Sequence, residues 1–172
     1  MTSEQIELGQ WRLSFSEPEA DFVINTLARM GKHYQEDIAQ MSPALRAYWQ
    51  GTLTRSAAGT EDLRESQEVL SEARNELRSE RLELVETWIR EYELAEERNP
   101  WKVVLSNAER DEFVAMINDR RMLLAHELGI TEADMEADLA RISNEERRAA
   151  VLEIDVLGHF ILVMLGPQIY RP

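Results

Sequence analysis

Asp155 and His159 are the residues of this chain whose types and spacing best fit chemistry. They lie four residues apart in VLEIDVLGHFILVML, residues 151–165, which is otherwise almost entirely apolar. Because a helix turns about 100° per residue, both side chains fall on one narrow strip between Leu152 and Leu162. A helix that is apolar on nearly every side belongs inside a protein. The pattern therefore predicts a buried carboxylate and a buried imidazole that need polar partners.

Arg120 is the expected partner of Asp155. The helix predicted from Asn107 to Leu128 carries Arg120 in the middle of its apolar face and Arg121 on the edge of that face. An inward arginine needs an anion, so we predict a buried cluster of Arg120, Asp155 and His159. Buried ion pairs more often fix packing than perform chemistry, which favours a structural role. Whether Arg120 or Arg121 meets Asp155 stays open.

Metal and catalytic motifs are scarce in the sequence. His126, Asp155 and His159 are weak candidates for metal ligands, because neither Glu-x-x-His nor His-Glu-x-x-His occurs. The chain has no cysteine, so thiol nucleophiles and cysteine zinc sites are excluded. Gly-x-Ser-x-Gly, phosphate-binding glycine loops and dinucleotide fingerprints are also absent. We predict no catalytic residue, no enzymatic activity and no cofactor.

The charge balance argues against a nucleic-acid partner. The chain has 33 acidic and 19 basic residues, a net charge of −14, and its only lysines are Lys32 and Lys102. The segment LLAHELGITEADM has the spacing of a helix-turn-helix motif, but its second helix would present acidic side chains to phosphates. These side chains are Glu132, Asp134, Glu136 and Asp138. Transcriptional regulation is therefore an alternative that the charge disfavours.

The periodicity predicts an all-α fold, a bundle of about six helices in one domain covering residues 1–172. Residues 1–15 read as a short strand or hairpin, and Trp101 begins a short buried connector. A capping box from Ser16 to Glu19 begins a helix that runs from about Glu17 to Gln40. Two further capping boxes start at Ser106 and Ser143. Small residues over 51–59 predict a connection, and Gly129 and Gly166-Pro167 predict helix C-termini.

The pattern predicts one long, charged helix over residues 61–98. We expect part of the segment 60–98 to pack against the domain and part to protrude from it. A continuous helix of this length would measure about 57 Å, against an expected radius of gyration of about 16 Å. Leucines recur every seven residues, but the complementary heptad positions are polar, so only half of a coiled-coil seam exists. The leucines are Leu63, Leu70, Leu77 and Leu84, and the polar positions are Gln67, Arg74 and Arg81. Whether the helix is straight, bent or paired stays open.

The cellular compartment is inferred from missing signals. The first fifteen residues lack a basic leader and an apolar stretch, so no secretory signal is visible. The last helix has about 15 largely apolar residues, where a membrane span needs about 20. We expect a cytoplasmic protein with no membrane partner.

The run Asn118-Asp119-Arg120-Arg121-Met122-Leu123-Leu124, followed by Leu128-Gly129-Ile130, resembles a motif of a bacterial family catalogued as a domain of unknown function. The resemblance covers Ser106 to Ile130 and, more weakly, Trp11 to Ile38. By position, Asn118, Asp119 and Arg121 would be the motif residues, which would join helices or bind a partner. Genes of that family tend to neighbour the gene of the N-end-rule adaptor of the Clp protease. The resemblance thus implies protein interaction linked to regulated proteolysis.

The function that we expect from the sequence is a non-enzymatic one exerted through protein contacts. A homodimer joined along the 60–98 helix or through the Trp101 region is one form that such contacts would take. The alternative from another class is a metal- or small-molecule-binding helical bundle that uses Arg120, His126, Asp155 and His159.

Overall fold

The computed structural model describes residues 1–50, 61–96 and 99–166. Its elements, in chain order, are β1 (Thr2–Glu7), β2 (Gln10–Phe15), α1 (Glu17–Gln35), α2 (Pro43–Gln50), α3 (Glu61–Leu94), β3 (Trp101–Ser106), α4 (Asn107–Leu128), α5 (Glu132–Glu136) and α6 (Glu145–Leu165). Single 3₁₀ turns follow α1 at Ile38–Gln40 and α5 at Leu139–Arg141. The predicted connection over 51–59 and the proline of the predicted final stop lie outside the described residues. No described helix is long and apolar enough to cross a membrane.

The all-α prediction is wrong, because the strands form a three-stranded antiparallel sheet in the order β1-β2-β3. The protein is mostly helical, but β3 occupies the residues that were predicted to be a connector. Its side chains alternate strictly between buried and exposed, as a half-buried strand requires. A strand of six residues gives a weak signal in the sequence, and its partner β2 lies about ninety positions earlier in the chain.

One face of the sheet forms part of the core. Trp11 pairs with Leu105, Leu13 with Val103, and Phe15 with Trp101, and all six side chains are buried. The rings of Phe15 and Trp101 stack with their centroids 5.3 Å apart. Trp101 therefore lies inside the core, so a dimer through this region would use neighbouring exposed side chains.

The hairpin of β1 and β2 is fastened to the start of α4. Gly9 has φ 81° in the turn, a left-handed conformation that favours glycine. The backbone N–H of Asn107 donates to the Gly9 carbonyl at 3.1 Å. The indole N–H of Trp11 donates to Asn107 Oδ1 at 2.8 Å, and the Arg110 guanidinium lies 4.1 Å from the Trp11 ring centroid.

Two of the three predicted capping boxes are confirmed. The Glu19 carboxylate accepts from the backbone N–H of Ser16 at 2.8 Å, and Glu109 accepts from Ser106 at the same distance. Both helices begin where these boxes predicted. The third helix start lies one residue later, since the N-cap of α6 is Asn144, whose side chain accepts from the N–H of Arg147 at 3.0 Å.

The predicted helix ends are less accurate than the starts. The stop after α4 is confirmed, since Gly129 has φ 60° and the N–H of Ile130 donates to the Ala125 carbonyl. α1 ends at Gln35, earlier than predicted, and α3 ends at Leu94. Gly31 lets α1 approach α3 closely, because a Cβ there would lie 3.3 Å from Val85 Cγ1.

The prediction that α6 is buried on every side is wrong. Its inner face packs into the protein through Ile154, Leu157, Phe160 and Met164. Its outer face is exposed and still largely apolar. The exposed fractions there are 46% for Leu152, 38% for Val156, 70% for Leu162 and 56% for Leu165. We call the outward face of α6 from Leu152 to Leu165 the outer face.

A lysine substitution at neighbouring positions of β3 tests the sheet. Val103 is 5% exposed and Val104 is 52% exposed. We expect Val103→Lys to lower the free energy of unfolding by at least about 3 kcal/mol, because it buries an unpaired charge. Val104→Lys should stay within about 0.5 kcal/mol of the parent. Denaturant unfolding measures both, and equal losses would contradict the strand.

Candidate functional site

Asp119 is the centre of a buried polar network. Its carboxylate accepts from the Arg81 guanidinium at 2.6 Å, from the Tyr48 hydroxyl at 2.6 Å and from the Tyr34 hydroxyl at 3.0 Å. These donors come from α3, α2 and α1, while Asp119 belongs to α4. Four helices thus meet at one carboxylate. We call Asp119 and its three donors, Arg81, Tyr34 and Tyr48, the Asp119 network.

The ion pair at the centre of the network is well shielded from solvent. Asp119 is 7% exposed and Arg81 is 8% exposed. The guanidinium spans two acids, since its Nε also donates to Glu112 Oε2 at 2.8 Å. Glu112 lies two turns before Asp119 on α4. A buried charge is tolerated only when it is paired and hydrogen-bonded, and both conditions hold here.

Both tyrosines of the network are held in their neutral form. Burial raises the pKa of Tyr34 well above its ordinary value, and the Asp119 carboxylate raises it further. The same two causes, in the same order, raise the pKa of Tyr48. A hydroxyl that donates to a carboxylate cannot ionise without placing a second negative charge beside it. The tyrosines therefore act as fixed donors that hold Asp119.

Arg81 is the last member of an arginine stripe along α3. Arg74, Arg78 and Arg81 are spaced by four and three residues, so they share one face of the helix. Arg74 donates to the Trp49 carbonyl of α2. Arg78 donates to the carbonyls of His33 and Glu36 at the end of α1. The arginine stripe binds backbone and carboxylate groups of this chain.

The predicted pairing of Arg120 with Asp155 is wrong. Arg120 is buried as predicted, but its Nε donates to Glu153 Oε1 at 2.7 Å. The other oxygen of Glu153 accepts from Arg29 of α1 at 3.2 Å. Glu153 and Asp155 are two residues apart and so point to different sides of α6. Because of the way α6 is rotated about its own axis, Glu153 and not Asp155 faces Arg120.

Arg121 connects α4 to α6 through the backbone. Its Nε donates to the Ile154 carbonyl at 3.2 Å, and its guanidinium covers Gly158, where a Cβ would lie 3.4 Å away. Asn118 is exposed and accepts from Arg121 at 3.5 Å. Of the residues that the resemblance singled out, Asp119 and Arg121 join helices, and Asn118 lies at the surface beside Arg121.

Asp155 and His159 share one strip, as predicted, but the strip faces outward. Both side chains are exposed, and neither makes a hydrogen bond or ion pair within the described part of the chain. They line a groove of about 610 Å³ together with Arg121, Met135 and Leu162. The groove lies along the outer face of α6, next to α5.

The weak metal candidates are not gathered into one site. His126 is exposed on α4, with its ring 5.8 Å from the ring of Tyr48. Asp155 and His159 lie on α6. Across residues 1–50, 61–96 and 99–166, no group of three or more histidine, aspartate or glutamate side chains could hold a metal ion.

The segment with helix-turn-helix spacing has a very short second helix. α5 spans only five residues, Glu132–Glu136, and begins with a Thr131 cap whose N–H donates to Asp134 at 2.8 Å. Asp134 also accepts from Arg147 of α6 at 2.8 Å. The segment is a corner that joins α4 to α6, as in many helical proteins.

Sequence reasoning predicted none of the partners of Asp119, and it also missed Glu112 and Glu153, the partners of Arg81 and Arg120. The signal for Arg81 was present, because an arginine replaces an apolar residue at a heptad position of α3. Tyr34 and Tyr48 lie at apolar positions of their helices, where a hydroxyl is easily overlooked. Glu112 and Glu153 resemble the many surface acids of this chain. Only the three-dimensional arrangement distinguishes them.

A double-mutant cycle measures the coupling within the Asp119 network. We expect Asp119→Leu to cost about 3 to 5 kcal/mol, because it leaves Arg81 buried with Glu112 as its anion and removes the acceptor of both tyrosines. Arg81→Met and Asp119→Leu together should cost at least about 1 kcal/mol less than the sum of the single effects. The matched cycle is Arg120→Met with Asp155→Leu, which should be additive within about 0.5 kcal/mol. Additivity in the first cycle would contradict the pairing.

The raised tyrosine pKa values predict a loss of stability at alkaline pH. Unfolded tyrosine ionises near pH 10, whereas Tyr34 and Tyr48 stay protonated when folded. Their contribution is complete below about pH 10 and is lost above it, with a limiting slope of about 1.4 kcal/mol per pH unit for each tyrosine. Unfolding free energies from pH 9 to 12 should fall less steeply in Tyr34→Phe and Tyr48→Phe. An unchanged slope in both variants would refute this assignment.

Comparisons with known proteins agree with the resemblance seen in the motif. A family described as a domain of unknown function, DUF2017, matches residues 7–161. That range contains the Asp119 network, Arg120, Arg121 and most of α6. No curated protein and no solved structure matches the chain. The match covers most of the sequence, so the chain belongs to the DUF2017 family.

Proposed function

We propose that this protein acts through protein contacts made by the outer face of α6. The observation that carries the proposal is the exposure of Leu152, Val156 and Leu162 on the outward side of α6, with Leu165 also exposed at the C-terminal end of the helix. Isolated apolar residues are common on protein surfaces, but several large apolar side chains exposed along one helix favour an interaction surface. Met135 of α5, 36% exposed, adds to the same surface.

The inner side of α6 supports this role. The helix is anchored to α4 and α1 through the Glu153 contacts with Arg120 and Arg29. The Arg121 contact to the Ile154 carbonyl adds a third attachment. These contacts fix the rotation of α6, so the apolar side chains of the outer face are held outward. A rigid surface of this kind loses little entropy when it binds.

The proposal includes the finer expectations from the sequence. We propose a cytoplasmic and non-enzymatic protein whose contacts are linked to regulated proteolysis. The link to proteolysis is what the resemblance implies, since it places the gene beside that of the N-end-rule adaptor of the Clp protease. Purified protein added to that adaptor, the protease and a labelled substrate should change the degradation rate. An unchanged rate would remove this link while leaving the contact surface in place.

Small-molecule binding is the second candidate function. The groove of about 610 Å³ beside Asp155 and His159 favours it, since Arg121 and these two side chains offer polar groups next to Met135. The apolar surface, however, extends past the groove to Leu152 and Leu165. An extended apolar surface fits a protein partner better than a compact ligand.

Site-specific photo-crosslinking in the host tests the proposed contact. A photo-reactive amino acid at position 162 should give cross-linked protein adducts. The matched control is position 94, where Leu94 is 75% exposed on α3. We expect adducts at position 162 and none at position 94. Absence of adducts at both positions, or equal adducts at both, would contradict a protein contact at the outer face.

A further inference from the structure

We propose that the outer face of α6 binds a second copy of this chain, with the two α6 helices antiparallel about a twofold axis. This inference rests on the proposed function, because it names the partner at the same surface. It starts from the order of side chains along the outer face. Four of its residues, Leu152, Asp155, His159 and Leu162, are spaced by three, four and three residues. This is the spacing at which the two core positions of a heptad repeat alternate along a helix.

The order of these four residues is self-complementary in an antiparallel pair. With the axis passing beside residue 157, Leu152 faces Leu162 of the partner subunit, and Asp155 faces His159 of the partner subunit. The symmetry of a dimer repeats each contact, so two carboxylate–imidazole pairs form between two leucine pairs. A charged or neutral imidazole has an N–H that donates to the carboxylate. Asp155 and His159, which have no partner in their own chain as described, would gain one.

A parallel pair has no such complementarity. In that arrangement each residue faces its own copy, so Asp155 would face Asp155 of the partner subunit. Two desolvated carboxylates repel each other, and like charges at an interface cost several kcal/mol. The electrostatics of the outer face therefore select the antiparallel orientation, which also opposes the two helix dipoles.

The charged groups at the proposed contact come from α4, α5 and α6. Gly158 is half-buried beneath the Arg121 guanidinium in its own chain. Arg121, Asp155 and His159 line the groove at this contact. α5, which borders the groove through Met135, adds the exposed acids Glu132 and Glu136.

Cysteine cross-linking tests the register, since the chain has no cysteine of its own. The test mixes full-length Leu152→Cys protein with full-length Leu162→Cys protein under mild oxidation. Both positions are exposed, so folding should be preserved, which circular dichroism checks. The antiparallel register predicts a disulfide-linked dimer in the mixture and little in either protein alone. A residue and its own copy at these positions lie about 15 Å apart along the axis, too far for a disulfide.

The matched control is Leu94→Cys, alone and mixed with Leu162→Cys, which should give no cross-linked dimer. Cross-linking of Leu152→Cys with itself would overturn the antiparallel orientation. Absence of cross-linking in every mixture would overturn the second copy as the partner. In that case, photo-crosslinks from position 162 to another protein would leave the proposed function standing, and their absence would remove both.

An exchange of charges gives an independent readout. Asp155→His alone places two imidazoles opposite each other. His159→Asp alone places two carboxylates opposite each other. Each should raise the dimer dissociation constant by at least about tenfold, as measured by sedimentation. The combination of Asp155→His and His159→Asp restores the complementary pair and should restore the dimer. Failure of the combined variant to recover affinity would overturn the pairing of residues 155 and 159.

Discussion

The Asp119 carboxylate is the group on which the arrangement of the helices depends. A buried anion of this kind is costly unless its lone pairs are used, and here Arg81, Tyr34 and Tyr48 all donate to it. Because each donor comes from a different helix, the cost of burial can be offset only when α1, α2 and α3 are all in place on α4. The network therefore specifies one arrangement of the four helices, which apolar packing by itself specifies less strictly.

The arginine stripe on α3 extends the same principle along a polar helix. α3 spans 34 residues and has few apolar side chains in its first half, so packing alone would hold it weakly. Arg74, Arg78 and Arg81 bind groups of α2, α1 and α4. Further along, Val85, Trp88 and Tyr92 are buried, so the C-terminal half of the helix packs through apolar side chains. The helix is thus attached by polar contacts in its middle and by apolar contacts toward its C-terminal end.

Local features of the fold could be predicted from the sequence, and pairings between distant residues could not. The capping boxes at Ser16 and Ser106 and the stop at Gly129 depend on residues a few positions apart, so their signals are local. β3 needs β2, and Arg120 needs Glu153, and both partners are set by the rotation and placement of distant elements. Asp155 and His159 were placed on one strip correctly. Their exposure could not be predicted, because an apolar helix looks the same whether its second face contacts this chain or another.

The most direct test of this account is hydrogen exchange in the Asp119→Asn variant. The matched control is Asp111→Asn on the same helix, where the side chain is 66% exposed. If Asp119 holds four helices together, its substitution should reduce protection in α1, α2 and α3 as well as in α4, while Asp111→Asn should leave protection unchanged. Loss of protection confined to the turns of α4 beside residue 119 would contradict the account, because the carboxylate would then serve only its own helix.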